Sequence, residues 1–126
     1  MENKNKTILL VDDDSTISGL YKERLEIENY NVVLAENGSE AIEKISTIMP
    51  DLILLDIMMP KLGGLDVLEF IKSKEELKKI PVIVFTALSS EDSKIESMIK
   101  GADDYVIKTK IAPKELVEKV NKFLGR

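Results

Sequence analysis

The sequence predicts an α/β fold in which helices cover both faces of a doubly wound, parallel five-stranded sheet. Short apolar runs alternate along the chain with longer segments whose apolar residues recur at helical spacing. This alternation is typical of a parallel sheet that is buried on both faces. The chain has 126 residues, of which 44% are hydrophobic, so residues 1–126 are predicted to form one domain with one core.

The predicted elements alternate strictly between strand and helix. The strands are predicted at residues 7–11, 31–35, 52–55, 82–85 and 105–107, and the helices at 16–27, 39–48, 65–74, 91–100 and 113–124. Ser15 is a candidate N-cap of the first helix, and Gly38 with Ser39 opens the second. Gly101 suits the end of the fourth helix, and Pro113 suits the first turn of the fifth. The charged stretch 75–79 is predicted to be a solvated loop or a frayed helix end.

Composition excludes several classes of function. The chain has no histidine and no cysteine, which rules out a histidine-based triad, a thiol nucleophile, a zinc finger and a redox pair. A net charge of -5 disfavours direct binding to nucleic acid, because that affinity comes from lysine and arginine contacts to phosphates. No apolar run approaches the roughly 20 residues of a membrane span. The polar start at residues 1–6 lacks the apolar stretch of a signal peptide, which predicts a cytoplasmic protein.

Polar residues stand where the predicted strands end. Crossovers between parallel strands are nearly always right-handed, so every strand delivers its C-terminal residue to the same edge of the sheet. Asp12 and Asp13 follow the first strand, and Asp56 follows the third, while Thr86 and Lys108 follow the fourth and fifth. In a sheet of order 2-1-3-4-5 the first and third strands are neighbours, which would place Asp12 and Asp13 beside Asp56.

Three carboxylates in one pocket require a compensating cation. Two like charges about 4 Å apart repel by roughly 4 kcal/mol at an effective dielectric constant near 20. Mg²⁺ relieves this repulsion, because it prefers oxygen ligands and is usually held by one or two carboxylates together with phosphate oxygens. The acidic cluster therefore predicts a Mg²⁺ site.

The remaining polar residues suit a phosphoryl group at the same site. The Lys108 ammonium can neutralise one phosphoryl oxygen and the Thr86 hydroxyl can donate to another. Phosphoryl transfer depends mainly on positioning and charge stabilisation, so the Asp56 carboxylate can act as the nucleophile without a protein base.

Four sequence motifs carry a family resemblance that covers nearly the whole chain. They are ILLVDDDS at 8–15, DLILLDIMMP at 51–60, PVIVFTA at 81–87 and GADDYVIK at 101–108. In this order and spacing the chain resembles the receiver domain of two-component response regulators, similar to the chemotaxis receiver. That resemblance implies a flavodoxin-like sheet of order 2-1-3-4-5.

The resemblance also assigns roles to the site residues. It implies that Asp56 is phosphorylated and that Mg²⁺ is held by Asp12, Asp13, Asp56 and the backbone carbonyl of Met58. Thr86 and Lys108 would bind the phosphoryl group, as the residue types already suggest. Asp14 is left outside the site, because a cap or a solvated role accounts for it.

The resemblance further implies a switch and its partners. Thr86 would move toward the phosphoryl group, and Tyr105 would rotate inward behind it. The face made by the fourth helix, fifth strand and fifth helix would then change its preference for an output partner or effector domain. The phosphoryl donor would be a phosphohistidine on a histidine kinase or a histidine phosphotransfer protein.

Two departures from the family pattern stand out. Thr109 follows Lys108 where the family usually has a proline after a cis peptide bond; a cis bond before another residue costs about 2.5–4 kcal/mol, so a trans peptide is predicted. Met58 and Leu88 lie two residues beyond Asp56 and Thr86, where family side chains flank the path of the hydrolytic water. Because neither side chain is able to hydrogen-bond that water, slow loss of the phosphoryl group is predicted.

Three other functions compete with this interpretation. A Mg²⁺-dependent aspartyl phosphohydrolase typically needs a second acid two residues after its nucleophile, where this chain has Met58. A flavin-binding electron carrier would need a phosphate-binding loop after the first strand, where Asp12 and Asp13 would repel the flavin phosphate. A receiver fold used as a constitutive binding module remains open.

Overall fold

The five strands form one parallel sheet of order β2-β1-β3-β4-β5 in the computed structural model, which describes residues 5–59 and 62–126. The strands are β1 (Thr7–Val11), β2 (Asn31–Ala35), β3 (Leu52–Leu55), β4 (Val82–Thr86) and β5 (Asp104–Ile107). The helices are α1 (Ser15–Ile27), α2 (Gly38–Ile48), α3 (Gly64–Ser73), α4 (Glu91–Ile99) and α5 (Pro113–Phe123). The predicted fold class and strand order are confirmed. Residues 1–4 of the polar start and Pro60 of the second motif lie outside the described residues.

The central strands are buried on both faces, and this explains their continuous apolar runs. Ile8 and Leu10 of β1 belong to one core cluster, whereas Leu9 and Val11 belong to the other. Side chains alternate between the faces of a strand, so both sets must be apolar when helices cover each side. Each fully buried leucine or isoleucine contributes about 1.5–3 kcal/mol.

The two core clusters define the two helical layers. One cluster joins the sheet to α1 through Leu25 and to α5 through Leu116, Val117 and Val120. The other cluster joins the opposite face to α2 through Ala41 and Ile45, and to α3 through residues such as Leu68 and Ile71. The sheet therefore packs between two helical layers. Because its strands are parallel, their C-terminal ends all lie at one edge.

The predicted boundaries lie within one residue of those observed, but one cap differs. Asp14, not Ser15, is the N-cap of α1, and its carboxylate accepts hydrogen bonds from the backbone N–H groups of Thr16 and Ile17. The prediction for Ser15 is wrong because that residue is already the first residue of the helix. Pro113 begins α5 as predicted, and Gly101 follows α4 with a φ of 109°.

The chain turns tightly after β5. Lys108–Lys110 form a short 3-10 turn before α5, and no cis peptide bond occurs among the described residues. The predicted trans peptide between Lys108 and Thr109 is therefore confirmed. Within the same described ranges, none of the helices has both the length and the apolar character needed to span a membrane.

Candidate functional site

The acidic residues that follow two neighbouring strands, β1 and β3, converge at the C-terminal edge of the sheet. β1 pairs with β3, and the backbone N–H of Asp56 donates to the carbonyl of Val11 over 3.0 Å. Asp12 follows Val11 directly and Asp56 follows Leu55, the partner of Val11 in β3, so Asp12 and Asp56 lie side by side at the ends of adjacent strands. One carboxylate oxygen from each of Asp12, Asp13 and Asp56 lies within 4.8 Å of the others.

Backbone amides hold the two buried carboxylates in place. Asp12 and Asp56 are 3% and 6% exposed. Asp12 Oδ1 accepts from the N–H of Asp14 at 2.9 Å, and Asp56 Oδ1 accepts from the N–H of Met58 at 2.8 Å. Each bond spans two residues and forms the local turn for which aspartate is well suited. Asp13, in contrast, is exposed at the rim.

Lys108 reaches the acidic cluster from β5. Its ammonium donates to Asp56 Oδ2 at 3.0 Å and also to Asp12 Oδ2. The ammonium lies 5.5 Å from the centre of the Phe85 ring. Burial alone would lower the pKa of Lys108, but the hydrogen bond to Asp12 and the charge and hydrogen bond of Asp56 outweigh it, so the net shift is upward.

Thr86 and Tyr105 are linked through the backbone of Leu88. Thr86 is the last residue of β4 and is fully buried, and its hydroxyl oxygen accepts from the N–H of Leu88 at 3.3 Å. The Tyr105 hydroxyl donates to the carbonyl of Leu88 at 2.7 Å. The Tyr105 ring is buried, and this burial together with the Asp56 charge raises the pKa of its phenol.

This link is a feature that sequence reasoning missed. The residue type of Leu88 points only to its apolar side chain, whereas its backbone N–H and carbonyl contact Thr86 and Tyr105, the two predicted switch residues. A backbone contact of this kind leaves no signal in residue type. The Tyr105 side chain is buried, and its rotation as part of a switch stays a prediction.

The donor set fits a hard divalent cation. Three carboxylates face one ammonium, which leaves two negative charges in excess within the cluster. The ligands offered are oxygen atoms, and the described residues contain no histidine or cysteine that would favour a softer metal. The arrangement is therefore suited to hold a divalent cation beside Asp56.

Comparison with known proteins places this site in context. Residues 8–121 match the family described as the response regulator receiver domain. The fold is similar to that of a putative response regulator from Chloroflexus aurantiacus J-10-fl, with a TM-score of 0.90 and 32% identity over 98% of this chain and 100% of that one. The BeF3-activated receiver domain of RstA from Klebsiella pneumoniae gives 0.88 with 30% identity, over 95% and 99% of the two chains.

A longer relative shows where such a domain occurs. The alkaline phosphatase synthesis transcriptional regulatory protein PhoP of Bacillus subtilis is 38% identical over 97% of this chain. The match covers 50% of that protein. The chain thus spans about half the length of the curated relatives it matches.

Proposed function

Since the chain belongs to the response regulator receiver domain family, we propose that Asp56 is the phosphoacceptor of this two-component signalling switch. The observation that carries the assignment is the convergence of β1, β3 and β5 on one carboxylate. The Asp56 carboxylate lies beside the carboxylates of Asp12 and Asp13, and the Lys108 ammonium donates to it at 3.0 Å. A buried acid held by both a backbone N–H and a lysine has a restricted orientation, and this supports its proposed role as the nucleophile.

The transfer step uses the residues in defined roles. An Asp56 carboxylate oxygen attacks phosphorus, a new P–O bond forms, and the P–N bond to the donor imidazole breaks. The electron pair of the broken bond returns to the imidazole, which takes a proton from solvent. Lys108 and Thr86 stabilise the phosphoryl oxygens by charge and by hydrogen bonding.

A metal ion completes this proposal. Mg²⁺ would be held by Asp12, Asp13, Asp56 and the backbone carbonyl of Met58, as the family pattern implies. When bound, it supplies Lewis-acid stabilisation to the charge on the phosphoryl oxygens. The protein backbone orients the carboxylates: the N–H of Asp14 donates to the Asp12 carboxylate, and the N–H of Met58 donates to the Asp56 carboxylate.

The partners follow from the family. A histidine kinase or histidine phosphotransfer protein donates the phosphoryl group, in the cytoplasm. PhoP of Bacillus subtilis is a transcriptional regulatory protein, so we propose that the output reaches DNA through another domain or partner, contacted by the face of α4, β5 and α5. The receiver itself, residues 1–126, carries a net charge of -5 and does not contact nucleic acid directly.

Acetyl phosphate with Mg²⁺ tests the acceptor assignment. Intact mass should show one added phosphoryl group on the wild-type chain and none on Asp56→Asn, while the exposed control Asp92→Asn should be labelled normally. Labelling retained by Asp56→Asn would refute the assignment. Continuous turnover of a phosphate ester would instead indicate a phosphohydrolase, and absence of both labelling and beryllofluoride-induced NMR shifts would indicate a constitutive binding module.

A further inference from the structure

An exposed methionine, Met58, stands beside the buried acceptor carboxylate. Its backbone N–H donates to Asp56 Oδ1 over 2.8 Å, yet the residue is 51% exposed. The groups on the other sides of Asp56 are shielded from solvent, since Asp12 is 3% exposed and the Lys108 side chain 11%. Asp13 is exposed, but it is a proposed metal ligand. Met58 and Asp13 are therefore the solvent-facing residues of this group.

Exposure makes the Met58 sulfur accessible to small oxidants such as hydrogen peroxide. A sulfur lone pair attacks one peroxide oxygen, an S–O bond forms and the O–O bond breaks. The leaving hydroxide takes the proton of the transferred oxygen and departs as water, so the sulfur loses two electrons and the peroxide gains them. The product is methionine sulfoxide, which sulfoxide reductases convert back to methionine. In that reverse step two thiols form a disulfide and the oxygen leaves as water.

Oxidation of Met58 changes what its side chain offers to water near Asp56. A thioether sulfur is a weak hydrogen-bond acceptor, whereas a sulfoxide is polar and carries an exposed oxygen. A water that donates to this oxygen keeps a lone pair for attack on phosphorus. In that attack the water oxygen bonds to phosphorus, the bond from phosphorus to the Asp56 oxygen breaks, and its electron pair returns to the carboxylate. Holding the water in place lowers the entropic part of the barrier.

Three other methionines of the described residues allow a comparison within the same chain. Met59 follows Met58 directly but is only 9% exposed and packs in the core, so its sulfur is protected. Met49 and Met98 are 46% and 42% exposed. Met49 is the C-cap of α2 and Met98 lies in α4. Both are open to the same oxidant, but neither neighbours the acceptor in the chain as Met58 does.

From these features we infer that Met58 is a peroxide-sensitive modification site, and that its oxidation to the sulfoxide shortens the lifetime of the phosphoryl group on Asp56. This inference rests on the proposed function, because it requires a phosphoryl group on Asp56. The reduced, apolar side chain keeps the phosphorylated form long-lived. A hydroperoxide then removes the signal sooner, and a sulfoxide reductase restores the long-lived state. The site thus combines phosphorylation with a reversible response to oxidants.

Peroxide treatment before phosphorylation tests the inference. The chain is oxidised with hydrogen peroxide, freed of the peroxide, mapped by peptide mass and labelled with acetyl phosphate and Mg²⁺. Mapping should show one added oxygen on Met49, Met58 and Met98, and little on Met59. The phosphorylated mass of the oxidised chain should then decay at least about threefold faster than that of the reduced chain, because the attacking water is positioned. Treatment with methionine sulfoxide reductases should restore the original half-life.

Three variants separate Met58 from the other methionines. Met58→Leu keeps an apolar side chain but has no sulfur, so its half-life should be the same before and after peroxide. The double variant Met49→Leu with Met98→Leu retains Met58 and should respond to peroxide as the wild-type chain does. Met58→Gln supplies a carbonyl acceptor without oxidation. Its half-life should be shorter than that of Met58→Leu, and peroxide should not shorten it further.

The outcomes distinguish a failed inference from a failed function. If Asp56 is labelled but oxidation of Met58 leaves the half-life unchanged, or if Met58→Leu responds to peroxide as strongly as the wild-type chain, the inference is refuted and the acceptor assignment stands. It is also refuted if Met58 stays reduced while Met49 and Met98 are oxidised. If the oxidised chain loses its folded circular dichroism together with its labelling, oxidation acts on the fold and the inference fails. If neither the reduced nor the oxidised chain is labelled at Asp56, the proposed function itself fails.

Discussion

At the scale of single residues, the side chains beside the proposed acceptor Asp56 are predicted to determine how long a phosphoryl group persists there. Met58 and Leu88 are unable to hydrogen-bond a hydrolytic water, and Met58 is exposed at the rim of the site. The double variant Met58→Asn with Leu88→Lys should shorten the half-life of the phosphorylated form by roughly tenfold or more, because a positioned polar group orients the water. The half-life is measured by loss of the phosphorylated mass, with Met98→Asn as an exposed control. An unchanged half-life in the double variant would contradict this explanation.

A buried tyrosine predicts a loss of stability in alkali. Tyr30 is 2% exposed, its hydroxyl donates to Asn121, and its ring lies 4.5 Å from the Arg126 guanidinium. Burial raises the pKa of Tyr30 above its ordinary value, although the nearby Arg126 acts in the opposite direction. The unfolded chain therefore releases this proton first, near pH 10, and stability falls as the pH rises from there toward the folded pKa.

Tyr30→Phe isolates that contribution. The variant should lose about 1 kcal/mol at pH 8, for the missing hydrogen bond, and should show a shallower decline in stability above pH 10. Urea unfolding at pH 8 and pH 10.5 measures both effects, with Tyr21→Phe as the comparison. Equal declines in the wild-type chain and Tyr30→Phe would show that other groups cause the alkaline loss.

The individual site residues were predictable to different degrees. Asp12, Asp13 and Asp56 follow parallel strands whose C-terminal ends share one edge of the sheet, and the order 2-1-3-4-5 makes two of those strands neighbours, so their convergence could be predicted from the sequence. The position of Lys108 at the pocket was likewise expected, but its simultaneous bonds to Asp12 and Asp56 depend on side-chain packing.

At the scale of elements, two glycines with opposite roles test how α3 is seated against the site. A Cβ atom on Gly64, the first residue of α3, would lie 2.3 Å from the carbonyl oxygen of Asp56 and 2.5 Å from Cα of Ile57. A Cβ atom on Gly19, inside α1, would meet nothing within 4 Å. Gly64 is thus required for a close backbone approach, whereas Gly19 is not.

Alanine at the two positions should change stability in opposite directions. Gly64→Ala should lower the free energy of unfolding by about 1–3 kcal/mol or more, because the backbone must shift. Gly19→Ala should raise it by about 0.5–1 kcal/mol, because alanine favours the helix. Chemical denaturation measures both changes. If Gly64→Ala leaves the free energy of unfolding unchanged, the start of α3 is able to shift at little cost and does not fix the position of the Asp56 backbone.

The elements could be predicted well where burial dominates, and less well where local hydrogen bonds decide. The strands β1, β3 and β4 are buried on both faces, so a continuous apolar run in the sequence marks the position of each strand. The cap of α1 depends on whether Asp14 or Ser15 reaches the first amides, and both residue types are good caps. The 3-10 turn at Lys108–Lys110 lacks any apolar period that would reveal it.

At the scale of the whole molecule, the excess negative charge of the acidic cluster should couple metal binding to folding. Mg²⁺ should raise the thermal midpoint, by an amount that corresponds to about 2.7 kcal/mol when its concentration reaches 100 times Kd. Asp13→Asn should weaken this response and should stabilise the metal-free protein slightly, because one like charge is removed. Thermal unfolding at constant ionic strength measures both effects, with Asp92→Asn as the control. A thermal midpoint that is unchanged by Mg²⁺ would argue against a metal site at this cluster.

The bond between Lys108 and Asp12 also bears on how the protein is made. One partner follows the first strand and the other follows the last, 96 residues later. Ribosomes deliver a chain from its N-terminus at about 5–20 residues per second, so a nascent chain carries its two buried acids before their ammonium exists. A ribosome-bound product that stops before Lys108 should therefore be unable to accept a phosphoryl group, and signalling competence arrives only when the final strand emerges.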